Sequence, residues 1–164
     1  MATYKAVVVG CGGRAPAHIE AYLTIDNAEL TACCAPSPDR REPLAEKYGI
    51  TPYADLAETL IKEKPDIVHL VTPPHSRVEF MSIVSAHDVP LCTVEKPIAL
   101  AVDDWRALQE LEASSKTKFA ICHQFRWQKH LSLCRQAIAG GALGGFDPPS
   151  DLVRRVQALA ESEG

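Results

Sequence analysis

Six short apolar runs recur along this chain, and most are separated by about ten residues at helical spacing. The runs are Tyr4–Val9, Leu30–Cys34, an extended piece at Ile50–Tyr53, Ile67–Val71, Pro90–Val94 and Lys118–Cys122. The first, YKAVVV, is continuously apolar and ends at a glycine cluster, as a strand covered on both faces should. Between the runs, helical patterns cover Ala15–Leu23, Ser37 to about Tyr48, Asp55–Glu63, Val78–Ala86 and Asp103–Ser114. Ser37 stands as an N-cap with Pro38 at the first helical position, and Gly49 ends the same helix. Pro65-Asp66 and Pro73-Pro74 punctuate the strands on either side. Strands alternating with helices give stacked β-α units, and right-handed crossovers between parallel neighbours give an α/β, doubly wound parallel sheet of about six strands.

The alternation stops after the sixth run. Leu131, Cys134 and Ile138 share one face of a further helix closed by Gly140-Gly141. A flexible GALGGFDPPS segment follows, then a last amphipathic stretch marked by Leu152, Val156 and Leu159. The expected organisation is a nucleotide-binding domain over 1–125, a helical extension over 126–164 and no second domain. The 164 residues suffice for one substantial core.

Bulk properties exclude several classes of function. A net charge of −4 leaves no footprint for nucleic acid or anionic lipid. No apolar stretch approaches a membrane span, and Ala6–Val9 is too short for a signal-peptide core. A cytoplasmic location is therefore expected. The six cysteines contain no C-x-x-C pair and mostly sit inside apolar runs, so they read as buried thiols. Cys122, His123 and His130 lack a further spaced ligand, and no metal site is expected there.

The glycine cluster carries the first functional signal. VVVGCGGRA sets Gly10, Gly12 and Ala15 in the G-x-G-x-x-G/A pattern, directly after a strand and opening a helix. Gly10 permits the tight turn, Gly12 lets backbone approach a pyrophosphate, and Ala15 allows close packing of helix on strand. The phosphates would lie at the helix N-terminus. An acid that could accept from an adenosine ribose belongs at the end of the second strand, yet Ala35 stands there. Ser37, Arg40 and Arg41 follow, and a guanidinium there can pair with a 2′-phosphate. NADP(H) is therefore favoured, with NAD(H) possible through Asp39; the arginines read equally as solvated residues of a surface helix.

GCGGR after the first strand, TPPH after the fourth and EKP after the fifth together resemble the N-terminal half of the Gfo/Idh/MocA family, the glucose–fructose oxidoreductase and inositol dehydrogenase group. The similarity runs from about Tyr4 to Gly144 and takes in AEKYGI (45–50), HQFRW (123–127) and GALG (141–144). The resemblance implies a Rossmann fold and a cofactor site that includes Gly13 and Arg14 of GCGGR. It implies that Lys96 is the catalytic group, polarising or deprotonating a substrate hydroxyl as hydride moves, a task suited to a desolvated lysine. Glu95 would hold the nicotinamide ribose side, and Pro97 would fix the backbone. Thr72, Pro73, Pro74 and His75 would line the cleft, Lys96 would also touch the cofactor, and Gln124 would bind it from the segment that leads toward a second domain. Arg77 stands where many members carry histidine.

Read without the family, Glu95 and Lys96 are also a plain ion pair at a strand end, and His75 a helix cap. The expectation is an NAD(P)-dependent oxidoreductase, or its shortened cofactor-binding half, acting on a sugar- or polyol-type hydroxyl or ketone. The alternative is a non-catalytic NAD(P)-binding sensor. The surface that a second domain covers in the family is expected to be buried in a homo-oligomer.

Overall fold

The computed structural model describes residues 3–141. They fall into two compact units that meet between His123 and Gln124. The first is a six-stranded, all-parallel sheet. Its strands are β1 (Tyr4–Val9), β2 (Ala28–Cys34), β3 (Thr51–Tyr53), β4 (Ile67–Leu70), β5 (Leu91–Glu95) and β6 (Lys118–Cys122), in the order β3-β2-β1-β4-β5-β6. The helices are α1 (Ala15–Ala21), α2 (Pro38–Tyr48), α3 (Leu56–Glu63), α4 (Arg77–Ala86) and α5 (Val102–Ser114). The expected doubly wound sheet is present.

Side chains that alternate along β1 feed two cores. Val7 and Val9 pack with Leu56 and Leu60 of α3, Met81 and Val84 of α4, and Leu108 of α5. Val8 turns the other way, toward Ala15 and Ile19 of α1 and Ala45 of α2. Val7, Val8, Val68 and Val94 are wholly buried, each contributing roughly 1.5–3 kcal/mol relative to exposure. Beyond β1 the α1 face of the sheet turns polar. Tyr22 donates or accepts through its hydroxyl at 2.6 Å from His69 Nε2, and His69 Nδ1 meets the Thr93 hydroxyl.

Several boundaries differ from expectation for local reasons. β5 starts at Leu91, because Pro90 has no N–H for the ladder; its carbonyl accepts from Lys118 N at 3.0 Å. The strand also runs on to Glu95, which pairs in register with Cys122. α1 stops at Ala21 and tightens into a single turn of 3-10 helix at Tyr22–Thr24. Ser37 precedes α2 in extended conformation but makes no side-chain cap; its carbonyl accepts from the amides of Arg40 and Arg41. Asp55 does cap α3, accepting from Glu58 N at 2.8 Å. Gly49 closes α2 at φ 65°, the left-handed conformation glycine favours. Cys11, Cys33, Cys34 and Cys92 are buried as expected, whereas Cys122 is half-buried and Cys134 exposed.

The second unit opens with a 3-10 turn, Gln124–Trp127, followed by α6 (Lys129–Ala139) and a turn at Gly141 with φ 72°. The expected final amphipathic stretch and most of GALGGFDPPS lie outside the described residues. No helix among the described residues is long and apolar enough to cross a membrane.

Candidate functional site

The strand order reverses between β1 and β4, so the chain leaves those two strands on opposite faces and opens a crevice at their carboxyl ends. A cleft of about 740 Å³ lies there. The glycine loop after β1 supplies Gly10, Gly12, Gly13 and Arg14 to its wall; Ser37 comes from the β2–α2 turn and Arg40 from the first turn of α2. Thr72, Pro73, Pro74 and His75 come from the β4–α4 connection, and Glu95 and Lys96 from the end of β5. Ala15 lies beneath the loop, wholly buried between α1 and the sheet. Gln124 belongs to the second unit.

Two glycines differ in what they allow. Gly10 has φ +99°, and a Cβ there would sit 2.6 Å from the Val71 carbonyl oxygen, so the loop presses directly on the β4 connection. A Cβ on Gly12 would meet no protein atom within 4 Å, which leaves its backbone open to the cleft.

Glu95 is the electrostatic centre of the far end. It is 7% exposed and accepts from His18 Nε2 at 2.9 Å and from Arg14 Nη2 at 3.3 Å. Burial works to raise its pKa, but the hydrogen bonds and charges of His18 and Arg14 outweigh burial and hold the carboxyl below its ordinary value. Glu95 is therefore a paired carboxylate facing α1, and its partners are Arg14 and His18 rather than Lys96. Arg14 and His18 are one helical turn apart, which brings both onto the same carboxylate.

Arg77 is 1% exposed and ties two strand ends together. Its guanidinium donates to the Glu95 carbonyl at 2.8 Å, the Thr72 hydroxyl at 2.9 Å and the Leu70 carbonyl at 3.4 Å. Burial lowers its pKa, opposed by the nearby Glu95 charge. Ser76 donates to the Pro73 carbonyl at 2.9 Å and lies 3.1 Å from the Thr72 hydroxyl, fixing the turn from within. His75 sits in the 3-10 turn Pro74–Ser76 and makes no side-chain cap of α4. Arg41 turns away from the cleft rim to donate to the carbonyls of Ala35 and Pro36, at 3.2 and 2.7 Å. Arg40 remains in the lining.

Sequence reasoning missed His18, the clamp by Arg77, and the wall residues Cys11, Pro36, Val71 and Phe80. The i, i+4 pair Arg14/His18 was the available signal for the first. For Arg77 the only signal was a basic residue opening a helix N-terminus, where the dipole disfavours it.

Fold and cleft are those of a doubly wound nucleotide-binding domain. Residues 4–123 match the family model described as the oxidoreductase family, NAD-binding Rossmann fold, and the chain belongs to that family, Gfo/Idh/MocA. Among relatives, D-apiose dehydrogenase of Paraburkholderia graminis is 29% identical over 143 residues, covering 86% of this chain and 38% of the relative. Glucose-6-phosphate 3-dehydrogenase of Bacillus subtilis is 23% identical over 87% of this chain and 40% of its own length. An oxidoreductase from Agrobacterium radiobacter, solved with NAD+, L-tartaric acid and magnesium, superposes with a TM-score of 0.79 at 25% identity, covering 87% of this chain and 42% of that one. The WlbA dehydrogenase from Chromobacterium violaceum, solved with NADH and UDP-GlcNAcA, gives 0.79 at 25% identity over 86% and 41%. The chain thus spans about two-fifths of the length of the relatives it matches.

Proposed function

We propose that this chain is the cofactor-binding part of a nicotinamide-dependent oxidoreductase acting on a sugar- or polyol-type hydroxyl or ketone. The carrying observation is the convergence of the glycine loop, the β4–α4 connection and Lys96 on one cleft at the reversal of strand order. When bound, the nicotinamide would accept or supply the hydride. The glycine loop, open at Gly12, would take the pyrophosphate against backbone amides at the start of α1. Thr72 and the two prolines would form one wall, held by Arg77. Lys96 would take the proton from the substrate hydroxyl in oxidation and return it in reduction. Glu95, already occupied by Arg14 and His18, would orient the nicotinamide end rather than act on the proton.

NADP(H) is the preferred cofactor in this reading. β2 gives way to Ala35 with no carboxylate, and Arg40 lines the cleft beyond it. NAD+ and NADH accompany the two superposed proteins, so NAD(H) is the competitor. Assembly into a homo-oligomer is retained in the proposal; among the described residues β6 is an edge strand with Ile121 40% exposed, which supports a buried partner there. A strictly monomeric species in light scattering at micromolar concentration would remove that part.

The test of the activity is turnover with a panel of aldoses and polyols. Lys96→Ala should lower it by about 10²-fold or more while cofactor affinity persists. Cofactor binding with no turnover on any member of the panel would favour a non-catalytic sensor instead.

A further inference from the structure

The end of the α1 face brings together a second set of groups, of which the hydride-transfer reading uses only Glu95, and that for orientation. Glu95 and Cys122 are register partners on neighbouring strands, so their side chains leave the sheet on the same side. His18 of α1 lies over them, with Nε2 2.9 Å from the Glu95 carboxylate. One imidazole nitrogen, one carboxylate oxygen and the Cys122 sulfur lie within 4.8 Å of one another. We infer that His18, Glu95 and Cys122 form a binding site for a borderline-soft divalent cation, zinc foremost, with water in the fourth position.

The donor chemistry selects the ion. Imidazole and thiolate suit zinc and disfavour magnesium or calcium, which take oxygen ligands. Zinc bonds of about 2.0–2.3 Å to nitrogen, oxygen and sulfur place tetrahedral donors some 3.3–3.8 Å apart. The trio reaches that spacing if the His18–Glu95 hydrogen bond opens and the sulfur moves inward. Charge also balances, since a carboxylate and a thiolate neutralise a divalent ion. Binding releases the Cys122 thiol proton to solvent, the ion itself driving that loss.

The surrounding contacts orient two of the ligands. The Thr93 hydroxyl lies against the Cys122 sulfur, and Arg77 holds the Glu95 carbonyl at 2.8 Å. One contact competes: the Arg14 guanidinium lies 3.3 Å from the same Glu95 oxygen. Its side chain is 58% exposed, so it can yield to the ion and return to water. Along the chain Cys122, His123 and His130 lack a further ligand, and spacing alone predicts no site there; the sheet register and α1 instead bring Glu95 and His18 to Cys122.

Cobalt(II) is the probe, because a thiolate ligand gives it a near-ultraviolet charge-transfer band. Titration of the chain should raise that band to one ion per chain, and zinc should abolish it. Cys122→Ser should remove the band, His18→Gln should weaken binding by about tenfold or more, and Cys134→Ser should change nothing. No band, a band that survives Cys122→Ser, or a band lost in Cys134→Ser overturns the site. Should Cys122→Ser fail to fold, alkylation of the unaltered chain decides. Zinc should then slow modification of Cys122 by about tenfold or more and leave Cys134 unaffected, and equal rates at Cys122 with and without zinc overturn the proposal. None of these readouts needs dinucleotide or turnover, so this site and the oxidoreductase reading stand or fall separately.

Discussion

Lowering the pH from 7 to 4 should cost this fold about 3 kcal/mol through His69 alone. His69 sits on β4 between the Tyr22 hydroxyl, 2.6 Å from Nε2, and the Thr93 hydroxyl at Nδ1. Burial, with a smaller contribution from the charge of His18, lowers its pKa from 6.5 to about 4. The folded protein therefore holds a neutral imidazole, one nitrogen donating and the other accepting. Burial also pushes the Tyr22 phenol up to about 12, which keeps its O–H available. The unfolded chain binds a proton below about 6.5 and the folded one does not until about 4. Stability is thus fully present above 6.5, falls as the pH drops toward 4, and loses nothing further below that. At about 1.36 kcal/mol per pH unit the interval is worth about 3 kcal/mol. Urea unfolding followed by circular dichroism across this range reads the slope directly. His69→Gln retains a donor and an acceptor without titrating, so its curve should be flatter by that amount. Glu95, depressed in the folded state, adds its own loss at lower pH, but equally in both proteins. An identical fall in His69→Gln and the unaltered chain would refute the reasoning.

Substitutions at two positions probe the cleft. Gly10→Ala forces a side chain into φ +99° with its Cβ 2.6 Å from the Val71 carbonyl, and should destabilise by at least about 2 kcal/mol and abolish dinucleotide binding; wild-type affinity in that variant would show that the loop is not the phosphate site. Arg77→Met keeps the aliphatic stem and removes donors to Glu95, Thr72 and Leu70. Lost charge-assisted hydrogen bonds, partly offset by relief of guanidinium desolvation, give a net loss of about 2 kcal/mol in urea unfolding, with weaker cofactor binding. Arg77→Lys should not restore it, since an ammonium cannot span both strand ends.

Local signals carried much of this fold into the sequence. The apolar runs and the glycines at Gly10 and Gly49 act through backbone conformation and period, which a single stretch displays. TPPH and EKP follow strand ends, and their place in a site comes from the family resemblance; Thr72, Pro73, Pro74, His75, Glu95 and Lys96 line one cleft. What stayed hidden depends on register between strands far apart in sequence. Glu95 beside Cys122, His69 beside Thr93, and Arg77 reaching from α4 to β5 are neighbours only once the sheet is assembled. The charge pair read in EKP dissolves for that reason: Glu95 and Lys96 both line the cleft, but the Glu95 carboxylate pairs with Arg14 and His18. Arg41 illustrates the opposite limit, a basic residue available by position but spent on local carbonyls.

Parallel fluorescence titrations with NADPH and NADH test the central claim most directly. Saturable binding of both is expected, with NADPH tighter and its advantage reduced by about tenfold in Arg40→Ala, while Lys96→Ala binds as the unaltered chain does. Binding of neither dinucleotide would contradict the account, and equal or tighter binding of NADH would overturn the role given to Arg40.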